Sequence, residues 1–281
     1  MLKRIVTGIV GLALFAAVIF FANPLVLNLA LAAVSAIAVY EALHRTGMIK
    51  NPALVAGSIC FAAVVPFLEN DTVGEVILAL YVFFLLAVLL VAHKTVTPGD
   101  VSLAFMFAVT LSLSLCTLLY LREIADLQTL GLTKTDGIFL LLLAVIGAWG
   151  TDIGAYFIGR FFGKHKLAPA VSPKKTVEGA VGGLAVCIVL FLAYGSLYGA
   201  YFLKDGGRVS LPLLAALAVI CALLSMLGDL SASCIKRAAG IKDFGNIFPG
   251  HGGILDRFDS LLTVAPAVYL LVQLLPVVVR N

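Results

Sequence analysis

The chain has 281 residues, 62% of them hydrophobic and only 12% charged, with a net charge of +4 and a mean hydropathy of +1.12. Soluble domains carry about 25% charged residues and about 45–50% apolar ones, and no water-soluble globule of this size could hide so much apolar surface. A soluble enzyme, a disordered chain and a coiled coil are excluded; an all-α, polytopic membrane protein remains.

Nine apolar runs approach the roughly 20 residues that a helix needs to cross the hydrocarbon core: 5–22, 24–43, 52–68, 74–92, 101–121, 137–159, 179–200, 210–232 and 259–279. The first follows Met-Leu-Lys-Arg, but it outruns a signal-peptide core of about 7–15 residues and a second run follows at once, so it reads as a retained helix. Orientation comes from Lys and Arg in the short loops. With the N-terminus in the cytoplasm, Lys3, Arg4, Arg45, Lys50, Lys94 and the cations of 160–175 and 236–257 lie inside. Arg122, Lys134, Lys204, Arg208 and Arg280 lie outside, a bias of fourteen to five. The N-terminus and the loops holding His165 and His251 are therefore expected to be cytoplasmic, and Asp126, Asp205 and the C-terminus external. Cys60, Cys116, Cys187, Cys221 and Cys234 are scattered without a C-x-x-C spacing and read as small apolar filler.

Residues 1–135 read as five spans joined by short, featureless links. Polar residues gather in 136–281, in two loops expected to be cytoplasmic, 160–178 and 233–258, and in the helix ends that feed them. Asp152 sits inside the sixth run, where an ionisable group costs at least a few kcal/mol and so faces the bundle interior or a wet cavity. Tyr156 stands one turn further along the same face. Arg160, Lys164, Lys166, Ser172, Lys174, Lys175, Thr176 and Glu178 follow. An ordinary positive-inside loop explains the Lys and Arg, but not the acids and hydroxyls beside them.

In the eighth run Ser225, Asp229 and Ser233 recur every four residues as one polar stripe, and Asp256 and Asp259 open the ninth three residues apart. Between them lie Lys236, Arg237, Lys242, Asp243, Gly250, His251, Gly252 and Gly253, and Arg257 follows Asp256. Oxygen-only ligands facing the cytosol suit Mg²⁺, and the surrounding cations suit phosphates. The combination points to phosphoryl or nucleotidyl transfer. The rival reading is an ion-coupled transporter, which also uses intramembrane acids. Acids gathered at one face beside a basic loop, rather than at the midplane, favour phosphate chemistry.

The stretch Ser233-x-Ile-Lys-Arg-x4-Lys-Asp-x5-Pro-Gly-His-Gly-Gly-x-x-Asp-Arg-x-Asp259 resembles the signature of the phosphatidate cytidylyltransferases, or CDP-diacylglycerol synthases. Asp152-x-Gly-Ala-Tyr-x-x-Gly-Arg160, Ser172-Pro-Lys-Lys-Thr-x-Glu-Gly179 and Gly228-Asp229 are similar to further segments of that family. The recognisable motifs cover roughly 149–183 and 225–260. The resemblance implies an all-helical enzyme of about nine spans, usually a homodimer, in the cell membrane. Its implied reaction turns CTP and phosphatidate into CDP-diacylglycerol and pyrophosphate, with Mg²⁺, at the cytoplasmic face; no nucleic-acid partner is expected. Asp229 and Asp256 take the family's metal-binding positions, with a second cation as an option. Lys236, Arg237 and His251 join them as expected catalytic residues. The expected substrate-binding set is Asp152, Tyr156, Arg160, Ser172, Lys174, Lys175, Thr176, Glu178, Ser233, Lys242, Asp243, Gly252, Gly253, Arg257 and Asp259.

The expected mechanism is in-line attack of the phosphatidate phosphate on the α-phosphorus of CTP. That nucleophile is already an anion and needs no strong base, so His251 is read as a phosphate donor or as a structural His. Asp152 is open between a metal ligand, an orienter of one and a partner for a buried cation. For Asp243 and Glu178, pairing with neighbouring Lys is the alternative to substrate binding. A CTP-using polyprenol kinase, or a cytidylyltransferase acting on another lipid phosphate, would need similar parts.

Overall fold

A computed structural model describes residues 11, 13, 16–20, 23–68, 71–126, 131–203, 207–247 and 252–280. Most of the first expected span lies outside the described residues, as do Asp205, Gly250 and His251.

The described chain is overwhelmingly helical. Helix α1 (Pro24–Tyr40) runs into a π-helical turn, Glu41–Arg45. Helices α2 (Pro52–Val64), α3 (Asp71–Val91) and α4 (Pro98–Arg122) follow. A second π-helical turn, Ile146–Gly150, joins α5 (Lys134–Val145) to α6 (Thr151–Phe162). Strands β1 (Lys166–Ala168) and β2 (Ser172–Thr176) lead to α7 (Val177–Phe202), and β3 (Arg208–Val209) to α8 (Leu211–Ala238). The chain closes with α9 (Leu255–Phe258), α10 (Leu261–Leu274) and β4 (Val278–Val279).

Every apolar run from residue 24 onward has a helix on it. Among the described residues six helices are long and apolar enough to cross a membrane, namely Pro24–Arg45, Asp71–Val91, Pro98–Arg122, Lys134–Phe162, Val177–Phe202 and Leu211–Ala238. The runs at 52–68 and 259–279 give shorter apolar helices, Pro52–Phe67 and Leu261–Leu274. Proline explains part of the difference. The α2 segment tightens into a 3₁₀ turn around Pro66, and α10 stops at Leu275, held extended ahead of Pro276. The expected 259–279 run therefore ends in β4, paired antiparallel with β3.

Helix ends in apolar surroundings must find partners for their backbone amides. Asn23 Oδ1 accepts the Val26 amide and Asn51 Oδ1 those of Ala53 and Leu54, each ahead of a proline suited to the first helical turn. Thr133 and Asp136 form a reciprocal capping box at α5.

Contacts divide the chain into two compact units, residues 1–119 with 236–258, and residues 120–235 with 259–281. In the first, Tyr81 is buried, stacks on Phe61 at 4.3 Å and hydrogen-bonds Ser58 Oγ at 2.7 Å and the Ala104 carbonyl at 3.2 Å. Helix α3 leaves Val76, Leu80, Phe83, Leu90 and Val91 exposed, an apolar surface suited to lipid.

In the second unit α6 packs closely along α7. A Cβ on Gly183 would stand 2.7 Å from the Thr151 carbonyl, and one on Gly179 2.8 Å from that of Ala155. This Gly-x-x-x-Gly face brings the two backbones together. The fully buried Asp136 accepts hydrogen bonds from Tyr198 Oη at 2.7 Å and from Arg280 at 2.7 and 3.0 Å, tying the C-terminal segment to α5. Cys116, Cys187 and Cys221 are buried, Cys60 and Cys234 exposed, and all five are free thiols.

Candidate active site

The polar residues resolve into two carboxylate clusters, one in each unit. In the second unit, Asp152 enters α6 directly after the π-helical turn. Its Oδ2 accepts Ser260 Oγ at 2.9 Å and its Oδ1 accepts Ser225 Oγ at 3.4 Å; the Ser225 hydroxyl is shared with the Ala148 carbonyl at 3.2 Å. Gly228 makes the approach of α8 possible, because a Cβ there would stand 2.7 Å from the Asp259 carbonyl. Asp229, one turn beyond Ser225, pairs through Oδ2 with Lys175 Nζ at 2.5 Å, both side chains about a quarter exposed. Asp229 and Lys175 lie within electrostatic range of Asp152.

Lys175 is delivered by a ribbon that the sequence did not announce. Strands β1 and β2 pair antiparallel, Lys166 opposite Thr176. Successive residues of a strand face opposite ways, so Lys174 is exposed while Lys175 turns toward Asp229. Thr176 Oγ1 caps α7 by accepting the Gly179 amide at 3.1 Å. Glu178 accepts the Lys164 amide at 3.0 Å, the His165 amide at 3.2 Å and a 2.6 Å bond with His165 Nδ1. Glu178 is thus occupied by the turn before β1 rather than by a neighbouring Lys. Tyr156 is exposed, and its hydroxyl accepts Arg160 Nη1 at 2.8 Å.

In the first unit Asp256 is buried, and both its oxygens are engaged. Oδ1 pairs with Lys236 Nζ at 2.9 Å, while Oδ2 accepts the amides of Phe244 at 2.8 Å and Gly253 at 2.9 Å. Lys236 Nζ also stands 5.2 Å from the centre of the Phe244 ring. Gly252 has φ +87°, and a Cβ there would meet Asp256 Oδ2 at 2.7 Å, so a side chain is opposed twice. Arg237 Nη1 donates to the Ile241 carbonyl at 3.3 Å, and Lys242, Asp243 and Arg257 are exposed.

A residue absent from the sequence expectations joins this cluster. Glu41, 1% exposed, accepts the Ile254 amide at 3.2 Å and the Leu255 amide at 2.9 Å. A carboxylate inside an apolar run was the available signal, since such a group is costly there. Of the remaining expected residues, Ser233 is buried and Ser172 half-buried in the second unit. Asp259 Oδ1 accepts the Ser260 amide at 2.8 Å.

The profile of the cytidylyltransferase family matches residues 2–275. The chain belongs to that family. It is 32% identical over 282 residues to a phosphatidate cytidylyltransferase of Bacillus subtilis, covering 98% of each chain. It is 44% identical over 139 residues to the Staphylococcus saprophyticus enzyme of that name, covering 50% of this chain and 51% of the other. The Staphylococcus haemolyticus one is 43% identical over the same length.

A hard divalent cation fits the donor chemistry of this family member. Among the described residues no three or more His, Cys, Asp and Glu side chains converge, so a cation would draw on few carboxylates and fill its shell with water and substrate oxygens, as Mg²⁺ commonly does. Lys175 engages Oδ2 of Asp229, and among the described residues no hydrogen bond or ion pair engages Oδ1. Asp256 is the more constrained donor, because Oδ2 already accepts two backbone amides.

Proposed function

We propose that this chain is a phosphatidate cytidylyltransferase, forming CDP-diacylglycerol and pyrophosphate from CTP and phosphatidate at the cytoplasmic face of the bacterial cell membrane. The observation that carries the reading is the Lys175–Asp229 pair beside Ser-held Asp152: a cation and two acids at the ends of otherwise apolar helices. A lipid phosphate can meet such groups while its acyl chains stay in hydrocarbon, so no alternating access is required. Full-length similarity to the Bacillus subtilis enzyme supports the same choice of substrates.

In the proposed step a phosphate oxygen of phosphatidate attacks the α-phosphorus of CTP. The bond to the β-phosphate breaks, and pyrophosphate leaves with the electron pair. Lys175, Lys236, Arg237 and the exposed Lys174, Lys242 and Arg257 neutralise the triphosphate and the departing pyrophosphate. Asp229 and Asp256 are the proposed Mg²⁺ ligands; bound Mg²⁺ would polarise phosphate oxygens as a Lewis acid. Asp152 orients its neighbours through Ser225 and Ser260. Arg160, seated on Tyr156, offers a fork for a phosphate. The nucleophile carries its own charge, so no side chain needs to remove a proton. His251, outside the described residues, is proposed as a phosphate donor. The reading extends to nine spans, a cytoplasmic N-terminus and a homodimer.

Purified protein in micelles, with phosphatidate, Mg²⁺ and CTP, tests the activity. Cytidine label should enter lipid with one pyrophosphate released per product. Transfer of γ-phosphate label instead would identify a kinase, and neither label in lipid would overturn the reading.

A further inference from the structure

We propose that Glu41, on the π-helical turn that ends the first described span, is a positioning residue for this reaction, fixing the segment 252–256 that carries Asp256, the partner of Lys236. The inference rests on the cytidylyltransferase reading above and concerns one compact unit, residues 1–119 with 236–258.

Three consecutive amides of that segment are held by two carboxylates. Gly253 donates to Asp256 Oδ2 at 2.9 Å, Ile254 to Glu41 Oε1 at 3.2 Å and Leu255 to Glu41 Oε2 at 2.9 Å. The loop is shaped around this carboxylate: a Cβ on Gly245 or on Gly253 would collide with the Glu41 carboxyl group. Arg45, on the same π-helical turn, reaches the loop as well, donating to Asn246 Oδ1 at 3.4 Å.

The choice of a carboxylate is informative. Both oxygens receive an N–H, and only Asp or Glu offers two acceptors on one planar group; an amide would turn a donor toward one of the two. Glu41 also lies within electrostatic range of Asp256, a like charge. Burying two carboxylates beside one another is costly, and a neutral acceptor would serve stability at lower cost. The arrangement suits a loop whose conformation must be held to within tenths of an ångström, since small misplacements of catalytic groups cost large factors in rate. Glu41 touches no reacting atom; it acts through Asp256 and the backbone of 253–255.

Glu41→Gln in the full-length protein tests this, with Glu41→Asp, which keeps the charge but is one methylene short, as a second variant. Steady-state kinetics in micelles should show kcat lowered about tenfold or more, with KM for CTP changed by less than about threefold, as expected for lost transition-state alignment. Amide exchange, read without substrate, should accelerate in 252–256 and stay unchanged in 98–122. Wild-type kcat in both variants overturns the proposal. So does lowered kcat with unchanged exchange in 252–256, or faster exchange throughout the chain. If neither variant folds, Glu41 is a folding residue and the positioning role falls. The two readings fail separately: a wild-type protein without cytidylyl transfer sinks the activity, while exchange alone decides whether Glu41 holds the loop.

Discussion

The two carboxylate clusters are built from the same residue types and held in opposite ways. Asp152 and Asp229 are held by side chains, two serines and one lysine, and among the described residues nothing engages the second oxygen of Asp229. Glu41 gives one oxygen to each of two backbone amides, and Asp256 gives one oxygen to two amides and the other to Lys236. A carboxylate with spare lone pairs can take a ligand from outside the protein, whereas one saturated by N–H groups holds the chain that made it. The first cluster is held by side chains alone, while the second also ties down the backbone around it.

The most severe test of this contrast is Asp229→Asn. If the free oxygen binds the cation, activity should fall about 10²-fold or more, while thermal unfolding in micelles hardly moves. Near-full activity at saturating Mg²⁺ would remove Asp229 from the metal set. Asp256→Asn should instead lower stability together with activity, by about 3 kcal/mol, because Lys236 loses its buried partner. A melting temperature equal to that of the wild type would erase the distinction between the clusters.

Smaller effects sharpen it. Lys175→Ala frees Asp229 and removes a phosphate partner, so KM for CTP should rise about tenfold, the effect of one charge-assisted bond. Neighbouring Lys174→Ala, on the solvent face of β2, should cost about threefold or less, as should Lys166→Ala. Equal losses at 174 and 175 would mean that the ribbon's alternation is irrelevant to function. Ser260→Ala, which removes one of two hydroxyls from Asp152, should cost about 1 kcal/mol, near fivefold in kcat.

How much of this was legible depended on the range of the signal. The stripe Ser225, Asp229, Ser233 is a helical period, and the structure keeps those residues on α8. The i, i+3 acids at 256 and 259 were equally visible. The partners were not. Nothing local pairs Lys175 with Asp229, 54 residues away, or Glu41 with amides more than 200 residues on. The β1–β2 ribbon was hidden because its residues read as a basic loop, and periodicity carries little information over three to five residues. Glu41 is masked by the apolar run around it, although its burial cost is the one clue in the sequence.

Both clusters also share a backbone device. Glu41 begins one π-helical turn, and Asp152 lies two residues beyond the end of the other. Such a turn carries one more residue than an α-helical turn, and each residue rotates the remainder of the helix by about 100°. Deleting one residue from 41–45 or from 146–150 would close the turn into regular α-helix and leave the later side chains on their faces, whereas the same deletion inside a stretch that is already α-helical would swing them by about 100°. Asp152 keeps its place against Ser225 and Ser260 in the first case and loses it when the deleted residue is its neighbour Thr151. These two short segments are the places where either helix can change its length by one residue while the side chains beyond keep their directions.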